Sequence, residues 1–191
     1  MKDAEKHRVL KDLAETLDFA EVLKRNPELS KSALKKLLFE ISDIFAPNAA
    51  KDYSTFHIKH LIINVDGASR GNPGKAGVGA VIRGSDNTII ERVSKYIGIA
   101  TNNIAEYQAL ILALETAKQI GAEKINIYAD SELMVKQIKG EYRVKNEGLK
   151  PLYQKAIGLL KDFKAYGIIH IEREKNTDAD KLANQAIDES S

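Results

Sequence analysis

Cysteine is absent from the 191 residues, which excludes a disulfide scaffold and a thiolate-held zinc. No apolar run approaches the roughly 20 residues that a membrane helix needs, and residues 1–20 are charged throughout. No membrane anchor or secretory leader is therefore expected, and the cytoplasm is the expected compartment. Charge of one sign is lacking too, since 29 Lys and Arg against 27 Asp and Glu leave a formal net charge of only +2. That total is too small to announce a nucleic-acid binder, so the location of charge matters more than its sum. Internal repeats and low-complexity tracts are also missing. What is present, 43% apolar and 29% charged residues, is the balance of a soluble globular protein with room for one ordinary domain and a small appendage.

The appendage is expected over residues 1–50. Val9, Leu10, Leu13, Leu17, Ala20 and Leu23 recur at helical spacing, Asn26-Pro27 breaks the run, and Ser30 caps a second helix carrying Leu34, Leu37, Leu38, Ile41 and Phe45. A helical hairpin results. Residues 1–55 carry ten basic and ten acidic side chains that alternate along the helices, which favours a packing or self-associating hairpin, or an extra substrate contact, over a helix-turn-helix DNA reader. Ala46-Pro47-Asn48-Ala49-Ala50 reads as a linker. A second domain is expected over 56–191.

That domain is organised around Ile62-Ile63-Asn64-Val65-Asp66-Gly67-Ala68-Ser69-Arg70-Gly71-Asn72-Pro73-Gly74. An apolar, β-favouring run leads into an Asp and a Gly-rich turn, and a buried strand tolerates a carboxylate only where its end opens to solvent. Ser69, Arg70 and Asn72 offer donors to a phosphate. Strands are expected at 58–66, 77–83 and 88–96, joined as an antiparallel meander. A helix then runs from Thr101-Asn102-Asn103 to about Ile120, with Ile104, Leu110, Ile111, Leu114 and Ala117 as its apolar stripe, and Gly121 ends it. A strand at 124–129, a short helix at 133–138, a helix at 149–163, a strand at 168–172 and a helix at 178–187 complete an α/β fold. The crossover between the first and fourth strands makes them parallel.

Asp66 and Asp130 both fall at carboxyl ends of parallel neighbouring strands, the rim where α/β sheets bind ligands. Glu106 and Asp180 lie in the first turns of two helices. Four acids from four elements repel one another unless cations bind them, and hard divalent ions resolve that repulsion. Two such ions about 4 Å apart would support in-line phosphodiester hydrolysis. Helix dipoles and capping also account for acids in such places, and Asp178 competes with Asp180, reading as the cap of the last helix.

Four ordered blocks now matter together: Asp66-Gly67-Ala68-Ser69-Arg70-Gly71-Asn72-Pro73-Gly74, Thr101-Asn102-Asn103-Ile104-Ala105-Glu106-Tyr107, Asp130-Ser131-Glu132-Leu133 and Arg173-Glu174-Lys175-Asn176-Thr177-Asp178-Ala179-Asp180. Residues 58–188 resemble the type 1 ribonuclease H family. The resemblance implies an endonuclease that cuts the RNA strand of RNA/DNA hybrids with two Mg²⁺, or Mn²⁺, leaving 3′-hydroxyl and 5′-phosphate ends. It implies a five-stranded mixed sheet in order 3-2-1-4-5 flanked by helices. By position, Asp66, Glu106, Asp130 and Asp180 would be catalytic metal ligands, and Gly67, Asn72, Asn102 and Asn103 would contact the hybrid's minor groove. Arg70, Ser131, Arg143, Lys145 and Arg173 are further candidate substrate contacts.

Two departures from the family pattern stand out. No His lies between Ile171 and Ala179, where many members carry one; Arg173 or Lys175 is the expected stand-in, and His170 reads as a partly buried strand residue. The loop 139–146 is short where some relatives carry a basic helix, which leaves Lys136, Lys139, Tyr142, Arg143, Lys145 and Lys150 as either a reduced phosphate-binding surface or a simply solvated charged segment. A P-loop over residues 71–77 is excluded, because Ala76 follows Lys75 and a strand follows both. A transposase-like nuclease and a non-catalytic hybrid-binding module are the rival readings; Asn102-Asn103, suited to a 2′-hydroxyl, argues against the first.

Overall fold

The computed structural model describes residues 19–29, 33, 34, 37 and 60–190. The chain divides into two compact units, Met1–Tyr53 and Ser54–Ser191. In the first, helix α1 (Phe19–Arg25) is followed by Asn26, whose fully buried side-chain amide donates to the Val22 carbonyl at 2.9 Å. Ala33, Leu34 and Leu37 are helical, and Val22, Leu29, Leu34 and Leu37 form a buried cluster. The rest of the expected hairpin, the linker 46–50 and the expected strand start at Ile58 lie outside the described residues.

The second unit contains strands β1 (His60–Gly71), β2 (Gly74–Gly84) and β3 (Ile89–Ala100), helix α2 (Asn102–Ile120), strand β4 (Lys124–Ala129), helices α3 (Glu132–Ile138) and α4 (Lys150–Leu160), strand β5 (Ala165–His170) and helix α5 (Thr177–Asp188). The strands form one sheet in the order β3-β2-β1-β4-β5. The β1–β2 and β2–β3 pairs are antiparallel, and the β1–β4 and β4–β5 pairs are parallel. This is the five-stranded mixed sheet that the family resemblance implies. Among the described residues no helix is long and apolar enough to cross a membrane.

Alternation along β1 sends Leu61, Ile63 and Val65 into a core shared with Leu110 and Leu114 of α2 and Ile125 and Ile127 of β4. Thr101 caps α2 by accepting from the Ile104 N–H at 3.4 Å, and Gly121 closes it at φ 85°. Burial on α2 exceeds the expected stripe, reaching Ala105, Tyr107, Ala109 and Ala113 as well. The helix is held between the sheet and α4, so small residues on its second face are covered too.

The first strand differs most from expectation. No turn follows Asp66: β1 continues to Gly71, and its glycine-rich part pairs with β2 down to Gly71↔Gly74, leaving Asn72-Pro73 as the whole connection. Ladder hydrogen bonds use backbone alone, so a stretch with few apolar side chains extends the strand unannounced by pattern. Asp66 is thus mid-strand, opposite Gly79. What ends beside it is β4, whose last rung with β1 is Val65↔Ala129.

Other boundaries move too: β2 begins at Gly74 rather than 77, β3 runs on to Ala100 rather than 96, and α4 ends at Leu160 rather than 163. β5 begins at Ala165, three residues before the expected start at Ile168, because the Lys164 N–H donates to the Glu123 carbonyl at 2.8 Å and brings the chain into line with β4. It also ends earlier, and Arg173–Lys175 form a 3₁₀ turn before α5. Asp178 does not cap α5. The cap position belongs to Asn176, and Asp178 accepts an ion pair from Arg83 Nη2 at 2.7 Å.

Candidate active site

Asp66 reaches the sheet's open rim because β4 has stopped at Ala129 and the chain turns through Asp130 and Ser131 into α3. Glu106 comes to the same place from the first turns of α2. Gly67 sets that approach, since a Cβ there would lie 2.2 Å from the Ala105 carbonyl carbon and the Glu106 nitrogen. α5 is seated similarly: a Cβ on Gly79 would lie 2.3 Å from the Ala179 carbonyl oxygen. Gly67→Ala is expected to push the start of α2 outward, cost about 3 kcal/mol of stability and lower any activity of the acid cluster at least tenfold. Thermal melting and a nuclease assay on the same preparation check both effects.

The carboxylates of Asp66, Glu106 and Asp130 each offer an oxygen, and the three oxygens lie within 4.8 Å of one another. Asp66 is 3% exposed and Glu106 5%. Asp66 Oδ2 and Glu106 Oε2 are buried without a hydrogen-bond partner. Burial, reinforced by the charges of Asp130 and Asp180, pushes the Asp66 carboxyl up to about 7, against the pull of Arg173. Burial, then Asp66 and Asp130, also raises Glu106 well above the ordinary range, while the Gly67 N–H bonded to it and Arg173 act the other way. Orphaned acidic oxygens at this spacing are a donor set of the kind hard divalent cations take. The chemistry of the residues fits such ions.

Asp180 stands outside that group of three. Its Oδ1 accepts from Arg173 Nη2 at 2.6 Å, so the cation expected to replace a loop His is present and already paired. Lys175, the other candidate, pairs with Glu172 instead. The cleft over the acids measures about 430 Å³ and is lined among others by Gly67, Asn102, Ser131, His170, Arg173 and Asn184. His170 is exposed rather than partly buried, because β5 is the sheet's edge strand and ends there.

The other candidates are scattered. Asn72 Oδ1 accepts from the Asn102 N–H at 3.2 Å, which ties the β1–β2 turn to the start of α2. Asn103 is exposed in the first turn of α2 but is not among the cleft-lining residues. Arg70 is ion-paired with Asp188. Arg143 and Lys145 are exposed on the segment between α3 and α4 and do not line the cleft. Sequence reasoning missed Asn176, which is buried and donates to the Val65 carbonyl at 2.8 Å and to Asp130 Oδ1 at 3.1 Å. An Asn before a helix signals a cap, and nothing in the local pattern points across to another strand.

A 3-2-1-4-5 mixed sheet with three acids gathered where β4 leaves β1 defines the ribonuclease H-like class of α/β proteins. Residues 64–186 match the family described as Reverse transcriptase-like. Ribonuclease HI of Halobacterium salinarum is 44% identical over 124 residues, covering 65% of this chain and 62% of that protein. Its crystal structure superposes with a TM-score of 0.67 at 42% identity, covering 68% of this chain and 98% of that one. The bifunctional protein Rv2228c of Mycobacterium tuberculosis is 43% identical over 129 residues, covering 67% of this chain and 35% of that protein. LC11-RNase H1, solved in complex with an RNA/DNA hybrid, superposes with a TM-score of 0.66 at 41% identity, covering 68% of this chain and 98% of that one. The chain belongs to the ribonuclease H family. It spans about a third of the length of the mycobacterial relative and 62% of the halobacterial one.

Proposed function

We propose that this chain is an endonuclease that hydrolyses the RNA strand of RNA/DNA hybrids by a two-metal mechanism, leaving 3′-hydroxyl and 5′-phosphate ends, in the cytoplasm. The observation that carries the proposal is the convergence of Asp66, Glu106 and Asp130 within 4.8 Å, with two buried oxygens lacking any partner. The names of the halobacterial and LC11 relatives, and the hybrid in the latter's structure, support the same substrate.

In this reading Asp66, Glu106 and Asp130 hold Mg²⁺ or Mn²⁺, and Asp180 joins them. Bound divalent ions supply a nucleophilic water at neutral pH and neutralise charge developing on the phosphate. The chain's own residues do the rest. The Gly67 N–H orients the Glu106 carboxylate, and Arg173 holds Asp180 while adding the cleft's positive charge. Asn102 lines the cleft and is tied to Asn72, and together with Asn103 they supply amides that both donate and accept, as a 2′-hydroxyl requires. Arg70, Ser131, Arg143 and Lys145 contribute phosphate contacts, and the N-terminal hairpin adds self-association or a further substrate contact.

Purified protein incubated with hybrid, duplex RNA and duplex DNA tests the proposal. The RNA strand of the hybrid is expected to be cut only with added Mg²⁺ or Mn²⁺, giving ends a polymerase can extend. Equal cutting of duplex DNA would favour the transposase-like rival, and binding without cutting the non-catalytic one.

A further inference from the structure

We propose that Asn176 is a positioning residue for Asp130, setting the rotation of that carboxylate through a buried amide. The proposal rests on the reading that the acid cluster holds divalent cations.

An Asn at a helix start ordinarily turns its side-chain oxygen onto the helix's own first N–H groups. Asn176 occupies the cap position of α5, yet its side chain makes no capping hydrogen bond. The backbone carbonyl of Asn176 does that work, accepting from the Ala179 and Asp180 N–H groups at 3.1 Å each. The side chain is 1% exposed with its residue and fully committed elsewhere. One amide hydrogen goes to the Val65 carbonyl at 2.8 Å and one to Asp130 Oδ1 at 3.1 Å, while Oδ1 of Asn176 accepts from Asn64 Nδ2 at 3.1 Å.

Both ends of this arrangement are anchored. Val65 makes the last rung between β1 and β4, and Asn176 bonds its carbonyl where β4 has turned away. Asn64 is held in turn by Arg83, whose Nη1 donates to Asn64 Oδ1 at 2.9 Å while Nη2 pairs with Asp178 in the first turn of α5 at 2.7 Å. The amide therefore cannot rotate without breaking contacts to Val65 and Asn64 of β1 and to Asp130 in the turn after β4, and Asn64 is itself held by the arginine clamp. A group that fixes one oxygen of a ligating carboxylate restricts where its other oxygen points, and such outer partners govern cation affinity. Asn64 and Arg83 are the frame, and Asn176 is the contact that reaches the acid.

Asn176→Ser separates this role from a capping one. Serine caps helices as well as asparagine does, but its single short hydroxyl cannot bond Val65 and Asp130 together. Mn²⁺ titration calorimetry without hybrid is expected to show roughly tenfold weaker binding. The Mg²⁺ concentration for half-maximal cleavage should rise in parallel, with KM for hybrid unchanged. Asn64→Ala, which loosens the amide without removing it, should move Mn²⁺ affinity in the same direction by less. Wild-type Mn²⁺ affinity in both variants, each still folded by circular dichroism, would overturn the proposal whatever happens to their melting temperatures. Failure of the wild-type protein itself to bind Mn²⁺ or cut hybrid would overturn the underlying reading as well.

Discussion

Asp66→Asn and Asp130→Asn are each expected to lower hybrid cleavage by roughly 10³-fold or more at saturating Mg²⁺, with hybrid affinity within about threefold of wild type. An amide preserves the volume of the carboxyl, so β1 and the turn into α3 keep their geometry. The charge is what disappears, and with it one of the two oxygens of a carboxylate belonging to the group that converges within 4.8 Å. Affinity for the duplex is spread over many phosphate and groove contacts and does not depend on one buried acid. Rates under single-turnover conditions, with binding measured separately in Ca²⁺, check the split. Residual activity above a few per cent in either variant would remove the assignment of these acids to the cations.

Removal of the cations should expose a second large effect of opposite sign. The Asp66 carboxyl is held at about 7, against an ordinary 3.8. Between those values the folded protein binds more protons than the unfolded chain, so stability falls as pH rises through that window. Below about pH 4 both states are protonated and the penalty vanishes; above about 7 it is complete, at most about 4 kcal/mol for a shift of this size. In metal-free protein Asp66→Asn should therefore raise the melting temperature of this unit by roughly 5–15 °C at pH 8, and by much less at pH 4. Added Mg²⁺ should stabilise wild type at pH 8 and do little for the variant. A wild-type melting temperature that stays flat from pH 4 to 8 would show that the acid is not desolvated as described.

Most of the sheet was legible because its cues are local. The apolar, β-favouring run of β1, the Gly-Ser-Asp-Asn turn before β3 and the strand–helix–strand order through β4 give the meander and the parallel β1–β4 pair, and the family resemblance supplied the full order of the five strands. The ends of elements were less legible. β1 runs to Gly71 because β2 supplies backbone partners across the ladder, and no side-chain pattern announces a partner. His170 read as half-buried because its neighbours are apolar, whereas its exposure depends on β5 lying at the sheet's edge. Asp178 read as a cap because acids favour helix starts; its engagement with Arg83 spans 95 residues.

By itself the sequence determined the order of the four acid-bearing blocks and the α/β frame that holds them, since these depend on residue type and short-range spacing, while it was the family resemblance of those blocks that singled out Asp66, Glu106, Asp130 and Asp180 as candidates. Only the tertiary structure decided that buried Asp66 and Glu106 meet the half-buried Asp130 in one cluster, that Arg173 holds Asp180 beside it, and that Asn176 reaches across from α5 to Asp130. Those are distances between segments remote along the chain, set by strand register and by the glycine contacts that let helices close on the sheet.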